Sequence, residues 1–167
     1  MGLDITSYKN ATPVPADLQA EIDASPEPAD AAYNAGVVIP YINSDFPGRE
    51  EGVADGIAYD VSRRTIDIGM SYGGYNAWRA ALAAMVGIPN IREWFRNPDM
   101  KAPFAELINF ADNEGTIGPV VCARLALDFD AWAERAAAND DVSANDRYER
   151  MRAIFKHAAG SGFVVFS

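Results

Sequence analysis

The sequence predicts an α+β protein with a mostly antiparallel sheet, which includes the N- and C-terminal strands, and several helices packed on one face. Apolar and polar residues alternate with the two-residue period of strands in much of the first half of the chain. From Gly74 onward the apolar residues recur every 3 or 4 positions, as in helices. The apolar segment FVVFS closes the chain and is predicted to return to the sheet as a last strand.

Length and composition fit one domain that spans residues 1–167. A chain of 167 residues buries roughly 70% of its unfolded surface, enough for a conventional core. Hydrophobic residues make up 49% of the sequence and aromatic residues 11%, so long disordered segments are not expected. We find no internal repeat and no low-complexity tract.

The N-terminal third is predicted to contain two strands and one short helix. Met1–Tyr8 and Tyr33–Ile42 have strand character, and Pro40 favours an edge position for the second. The segment ADLQAEIDA, which follows Pro15, is predicted as a helix. Residues 43–56 are predicted as a loop, with glycines at 48, 52 and 56 for turns of positive φ.

Gly56–Met70 is predicted to form a β-hairpin whose four-residue loop, SRRT, carries Arg63 and Arg64. Two cross-strand pairs define its register, Tyr59 with Ile68 and Val61 with Ile66. This register places Asp60 opposite Asp67, and like charges opposite one another are destabilising. Either the register differs, a cation bridges the two carboxylates, or nearby arginines neutralise them.

The second half is predicted to be mainly helical. The predicted helices run from Gly74 to Val86, over IREWFRNP, over Phe104–Ala111, from Pro119 through Ala136, and from an N-cap at Ser143 to Ala158. The segment DNEGTIG, between the third and fourth of these helices, is predicted as a loop. Trp78 is predicted to lie in the core.

Charge and the rarity of certain residues exclude several classes of function. The net charge is −10, so the chain would repel a nucleic-acid backbone, whereas a small anion in a local basic pocket remains compatible with it. Cys122 is the one cysteine and His157 the one histidine, which excludes an internal disulfide and most zinc chemistry. We therefore predict no catalytic residues, no metal site and no cofactor.

The sequence also predicts a cytoplasmic protein. No apolar run approaches the roughly 20 residues that span a bilayer, so no membrane partner is expected. The start, MGLDITSYKN, lacks the basic and hydrophobic regions of a secretion signal. A reducing cytosol suits a chain with one cysteine.

The segment MSYGGYNAWRAAL, where a strand gives way to a helix, is the first candidate site. Tyr72, Gly73 and Gly74 would open the helix and leave backbone N–H groups for an anion. Tyr75 would stack on a flat ligand group together with Tyr72. Two further residues, Asn76 and Arg79, complete this predicted set, Arg79 by reaching back to the anion. The competing hypothesis is that the glycines only form the turn.

NFADNEGTIGPVV is a second glycine-led helix start. Asn109, Asn113 and Thr116 would supply hydrogen bonds, and Gly118 would expose a backbone donor. Asp112 and Glu114 are ambivalent, because they could bind a ribose hydroxyl or a cation, or could simply favour the helix dipole. We predict one cleft shared by the two helix starts, to which Arg63 and Arg64 could also contribute charge.

Four blocks of the sequence resemble a family of small phage- and prophage-encoded proteins. They are MGLDI, FPGREEGVADGIAYD, SYGGYNAWR and ELINFADNEGTIGPVV. The resemblance implies a location in the host cytoplasm and a task directed at the host, such as the capture of a nucleotide messenger of bacterial defence. It implies no catalytic role. The stretch from Asp17 to Asp30 departs from the family pattern.

The sequence thus favours a binding protein that sequesters a small nucleotide-like anion. A metal-assisted hydrolase of a similar substrate, using Asp60 with Asp67 or Asp112 with Glu114, is the first alternative. A protein–protein inhibitor with an acidic surface is the second. Association into a homo-oligomer is left open.

Overall fold

The computed structural model describes residues 2–61, 65–110 and 115–167. Its strands are β1 (Leu3–Tyr8), β2 (Thr12–Pro13), β3 (Tyr59–Asp60), β4 (Ile66–Met70), β5 (Gly115–Ile117) and β6 (Phe163–Phe166). Its helices are α1 (Ala16–Asp23), α2 (Pro28–Ala35), α3 (Tyr72–Met85), α4 (Ile91–Trp94), α5 (Ala105–Ile108), α6 (Pro119–Ala131), α7 (Ala133–Ala137), α8 (Asp140–Ser143) and α9 (Arg147–Ala158). A 3₁₀ turn, Ala144–Asp146, joins α8 to α9.

A four-stranded antiparallel sheet in the order β4-β1-β6-β5 forms the centre of the fold. The predicted α+β class is confirmed, and both terminal strands belong to the sheet. Ile5 of β1 pairs with Ile68 on one side and with Phe166 on the other. Leu3 and Ile5 are fully buried whereas Asp4 between them is exposed, as the two-residue alternation requires. Helix α9 packs against β1, β4 and β6.

The predicted hairpin over Gly56–Met70 is wrong. Tyr59 pairs with Pro13 in a separate two-stranded sheet of β2 and β3, whereas Ile68 pairs with Ile5 of β1. The alternating pattern of β4 fits β1 equally well, and the connecting segment has none of the glycine or asparagine turn residues that would specify a local hairpin.

The same register corrects the predicted acidic pair. Asp60 lies opposite Thr12 and Asp67 lies opposite Thr6, so the two carboxylates do not face one another across a strand pair. The loop arginines at positions 63 and 64 lie outside the described residues.

The strand predicted at Tyr33–Ile42 is wrong as well. Tyr33 belongs to helix α2, which ends at Gly36 in the left-handed conformation (φ 73°). Of this segment, Val38 makes an isolated bridge to Tyr59. Helices α1 and α2 bury a small separate cluster, composed of Val14, Ile22, Ala32 and Ala58. The predicted helix at ADLQAEIDA is confirmed as α1.

The helical half follows the prediction in its main elements and departs from it at their ends. Helix α6 begins at Pro119 as predicted, but Trp132 leaves helical geometry and separates it from α7. The last helix begins at Arg147, because Ser143 belongs to α8 instead of capping α9. The loop predicted at DNEGTIG contains a short strand, β5, which pairs with β6.

The main core lies between the central sheet and the helices α3, α5, α6 and α9. Its largest fully buried side chains include Trp78, Tyr75, Tyr148, Phe104, Phe110, Phe129 and Phe155. The core prediction for Trp78 is thereby confirmed. Among the described residues, no helix combines the length and the apolar character that crossing a bilayer would need.

Candidate functional site

The start of helix α3 is capped by its own chain. The Ser71 side chain accepts a hydrogen bond of 3.1 Å from the amide of Gly74, and the Ser71 carbonyl accepts one of 2.9 Å from the amide of Tyr75. A serine at this position is a preferred N-cap. One of the backbone donors that were predicted to hold an anion, the amide of Gly74, is therefore already used. Gly73 has open space where a side chain would be, and Tyr72 is half-buried.

Tyr75 cannot stack on a ligand, which corrects the prediction for this residue. The ring is fully buried, and its hydroxyl donates a hydrogen bond of 2.8 Å to the Phe110 carbonyl. Trp78, one turn later, donates from its indole nitrogen to the Val142 carbonyl at 3.0 Å. Both aromatic residues join α3 to neighbouring segments of the core.

Arg79 also holds the fold together instead of reaching to the helix start. One terminal nitrogen donates to the Ile108 carbonyl and the other to the Asn76 side-chain oxygen, each at 2.8 Å. The guanidinium carbon lies 5.2 Å from the centre of the Phe95 ring. Arg79 is only 6% exposed. The predicted ligand contacts of Arg79 and Asn76 are therefore replaced by contacts with each other and with α5.

The second helix start, at Gly118, is closed by a loop. The amide of Gly118 donates to the Arg49 carbonyl at 2.7 Å, and the amide of Val120 donates to the Glu51 carbonyl at 3.4 Å. A side chain at Gly118 would meet the carbonyl oxygens of Glu50 and Glu51 at 2.5 Å. The predicted backbone donor is thus satisfied by protein, and no ligand has room at this point.

The remaining residues of the second predicted set are placed as follows. Thr116 lies in β5 opposite Val165 and is 2% exposed, so it does not face an open cleft. Asn109 ends helix α5 and is half-buried. The other members, at positions 112–114, lie outside the described residues.

The structure does not bring the two helix starts together, so the predicted shared cleft is wrong. Helix α3 follows β4 at one edge of the sheet, whereas α6 follows β5 at the opposite edge. Met70 pairs with Leu3, the first residue of β1, and Ile117 pairs with Val164, which itself pairs with Ser7 near the other end of β1. With strands about 4.8 Å apart and 3.3 Å per residue, the two starts lie roughly 20 Å apart.

A small cleft does lie beside the start of α3. It has a volume of about 270 Å³ and is lined by the end of β4, Ser71, Gly74 and Asn145, with two arginines, Arg147 and Arg150. Arg150 is exposed and Arg147 is half-buried. Both side chains therefore lie in contact with water, where a guanidinium gains little from one added anion.

A larger cavity, of about 620 Å³, lies between the loop that closes the start of α6 and the outer side of α5 and α6. It is lined by residues 47–49, 51, 100–102, 106, 124, 127 and 128. This volume lies within the range of small-molecule sites, which is about 300–1,000 Å³. The lining combines three basic side chains, those of Arg49, Lys101 and Arg124, with three acidic ones, those of Glu51, Glu106 and Asp128.

Arg49 is the buried cation of this cavity. It is 7% exposed, and its Nε donates a hydrogen bond of 3.1 Å to the Glu106 carbonyl. Within the described residues, the two terminal nitrogens of Arg49 make no hydrogen bond. Burial lowers the pKa of the guanidinium, while the carboxylates of Glu106 and Glu50 oppose that shift. Since an arginine stays protonated in proteins, this largely buried side chain presents a positive charge and accessible, unused donors to the cavity.

Arg124 lies nearby but is already paired. It makes ion pairs of 3.1 Å with Glu51 and 2.9 Å with Glu106, and its side chain is 48% exposed. Exposed pairs of this kind contribute little to stability. Arg124 is thus a second, already paired cation at the exposed part of the cavity lining.

Asp128 forms part of the wall and fixes a strained residue. Its carboxylate accepts a hydrogen bond of 2.7 Å from the amide of Phe104, which has a left-handed backbone (φ 58°) although it is a bulky aromatic residue. Such a conformation is costly for a non-glycine residue and persists only where surrounding contacts impose it. Burial raises the pKa of Asp128, and the nearby Glu106 raises it further against the opposing effect of the Phe104 hydrogen bond.

The lone histidine contacts a serine, but the pair does not form a nucleophilic site. The Ser7 hydroxyl donates to the Ile154 carbonyl at 2.8 Å and lies 3.0 Å from Nδ1 of His157. Ser7 is fully buried, so no substrate reaches its oxygen. Burial raises the pKa of the Cys122 thiol. Among the described residues no group of three or more His, Cys, Asp or Glu side chains is arranged to hold a metal ion.

Arg49 and its cavity were not among the sites predicted from the sequence. Arg49 lies in the segment FPGREEG, where neighbouring glycine and acidic residues indicate an exposed loop. Its burial depends on contacts with α5 and with the start of α6, which are distant in sequence. The one local signal is an arginine within a glycine-punctuated loop, and that pattern does not distinguish a solvated arginine from a buried one.

Comparison with protein-family models, with curated proteins and with solved structures finds no match to this chain.

Proposed function

We propose that this protein binds a small anionic molecule in the Arg49 cavity and holds it without changing it. One observation carries the proposal. Arg49, which is 7% exposed, lines the cavity of about 620 Å³, and within the described residues its terminal nitrogens make no hydrogen bond. A largely buried guanidinium is less well hydrated than an exposed one, so it gains more from pairing with an anion. A bound anion would take the place of water at these donors through the two-pronged contact that arginine makes with phosphate and carboxylate groups.

The charge of the whole molecule supports a small ligand over a polymer. With a net charge of −10, the surface as a whole repels extended polyanions. A small anion inside the cavity would instead contact Arg49, with Arg124 and Lys101 at the mouth. The proposed site is therefore selective by size as well as by charge.

The hydrolase alternative loses one of its two proposed acid pairs, because Asp60 and Asp67 face different partners in different sheets. Its other pair lies outside the described residues. The acidic protein–protein inhibitor remains the alternative if no small anion binds. The resemblance to phage-encoded proteins supports one particular version of the proposal, in which the ligand is a nucleotide messenger of bacterial defence that the protein sequesters.

A thermal-shift panel with recovery of the ligand tests the proposal. The purified protein is mixed with inorganic phosphate, pyrophosphate, AMP, cyclic dinucleotides or ADP-ribose, and the melting temperature is recorded for each. A compound that binds only the folded protein raises the melting temperature. After heat denaturation, the released compound is identified by mass spectrometry. Intact compound supports capture, a cleaved product overturns it in favour of hydrolysis, and no shift from any compound favours the inhibitor.

Arginine variants locate the site. Arg49→Lys keeps a positive charge but loses the fork of donors, so the shift should shrink, and Arg49→Met should abolish it. Arg150→Met is the matched control, since it removes an exposed arginine from the smaller cleft beside α3. Loss of the shift in Arg150→Met with retention in Arg49→Met would move the site to that cleft.

A further inference from the structure

The wall of the Arg49 cavity combines charged side chains with apolar ones. Two exposed hydrophobic residues line it, Leu127 of α6, which is 70% exposed, and Met100, which is 38% exposed. Leu127 lies one turn beyond Arg124, on the same outward side of α6. Leu127 thus adjoins the paired arginine, Arg124.

The exposed side chains of Leu127 and Met100 leave apolar surface in water that a ligand in the cavity could cover. Apolar surface contributes about 25 cal/mol per Å² when it is removed from water. Single exposed apolar residues are common on protein surfaces, but here two of them share one concave surface with a buried cation. An inorganic anion would satisfy the cation and leave both apolar residues in water.

We propose that the ligand is an organic phosphate in which the phosphate is joined to a flat, apolar-faced group, as in a nucleoside monophosphate. This inference rests on the proposed function, because it assigns the phosphate to Arg49. The flat group lies against Leu127 and Met100 and displaces water from them. A sugar between the two ends would lie near the carboxylates of Glu51 and Glu106, which accept hydrogen bonds from hydroxyl groups.

The size of the cavity agrees with a two-part ligand. Its volume of about 620 Å³ is far larger than one phosphate group needs. Ligand sites commonly combine a mostly apolar wall with a few polar groups that fix orientation. Arg49 would fix the orientation here, and the two apolar residues would add affinity that does not depend on charge.

Three ligands test this assignment, each of which contains the previous one and adds one chemical group, first the sugar and then the base. Inorganic phosphate, ribose 5-phosphate and AMP are titrated into the wild-type protein by calorimetry. We expect AMP to bind about tenfold more tightly than ribose 5-phosphate, because the base covers apolar surface that the sugar does not reach. Equal affinity of the two organic phosphates would overturn the inference and leave the proposed function in place. If none of the three binds, or if Arg49→Met binds all of them as the wild type does, the proposed function itself fails.

Two alanine variants on helix α6 test whether the ligand contacts the apolar part of the cavity wall. The second variant shows whether any loss of exposed apolar surface on this helix has the same effect. Leu127→Ala should bind AMP about tenfold more weakly and phosphate as well as the wild type does. Val120→Ala is the matched control, since Val120 is also on α6, is 40% exposed and does not line the cavity. Both side chains are exposed, so both variants should fold. Unchanged AMP affinity in Leu127→Ala, or an equal loss in Val120→Ala, would overturn the inference.

Discussion

The backbone amide of Gly118 donates a hydrogen bond of 2.7 Å to the backbone carbonyl of Arg49. This contact joins the N-cap residue of helix α6 to the loop that carries Arg49. It has two consequences for function. The start of α6 is not open to a ligand, and the Arg49 backbone is held in place, so that its side chain can extend along α5 to the Glu106 carbonyl.

Gly118→Ala should destabilise the protein and move the Arg49 loop. The added carbon would lie 2.5 Å from two backbone carbonyl oxygens, and backbone cannot swing aside as a flexible side chain does. Overpacking of this kind costs about 1–3 kcal/mol. Urea unfolding measures the loss. An unchanged unfolding midpoint would show that the loop does not pack on Gly118 as described.

Gly73→Ala should have the opposite effect. Gly73 is the second residue of α3, and there is open space where the new carbon would be. Alanine is more favourable than glycine in a helix interior by about 1 kcal/mol. In this first turn the unfolding free energy should rise by up to that amount, with ligand affinity unchanged. A drop in affinity would indicate that the backbone of α3 contacts the ligand after all.

Arg79→Ala should lower stability and leave the intrinsic affinity of the folded protein for its ligand unaltered. Removal of the guanidinium leaves the buried Ile108 carbonyl without its donor, and an unsatisfied buried group costs about 1–3 kcal/mol. Binding is measured by calorimetry at a temperature where the variant is folded by circular dichroism. A stable variant that no longer binds would restore Arg79 to the site.

Asp128→Asn should change how stability depends on pH. The native pKa of Asp128 is raised, so the native carboxyl holds its proton more tightly than the unfolded one. Its contribution to stability is full below the ordinary aspartate pKa of about 3.9 and is lost as pH rises through the native value. The amide can still accept the hydrogen bond from Phe104. The unfolding free energy of the wild type minus that of the variant should therefore fall between low and neutral pH. A difference that rises with pH would contradict the raised pKa.

The sequence predicts the parts of the fold that depend on long, regular patterns. The alternation in β1, the apolar stripe of α9 and the apolar segment of β6 each extend over several turns or residues. All three elements form, although α9 begins at Arg147 and not directly after Ser143. Pro119 and Ile117 show which kinds of element the sequence can and cannot predict. A proline that begins a helix is a local signal, whereas the three-residue strand β5 is too short for its period to be visible and exists because β6 pairs with it.

The candidate site was predicted less well than the fold, for a physical reason. Glycines at Gly73, Gly74 and Gly118 indicate where backbone donors could be open, but whether they are open depends on what covers them. At the start of α3 the side chain of Ser71 accepts a hydrogen bond from the helix, and at the start of α6 the carbonyl of Arg49 does so from a distant loop. The contact of Ser71 could be predicted from the sequence, because serine is a preferred N-cap residue. The contact of Arg49 depends on tertiary structure, and so does the burial of its side chain.

Chemical-shift mapping of an AMP titration is the most direct test of where the ligand binds. Amide spectra of the ¹⁵N-labelled wild-type protein are recorded as AMP is added, and the backbone signals that move are assigned. The proposal predicts that the largest shifts fall at Arg49, Glu106 and Leu127, with those of Ser71, Gly73 and Gly74 unmoved. Shifts confined to the start of α3, or no shift at any concentration, would contradict the Arg49 cavity as the binding site.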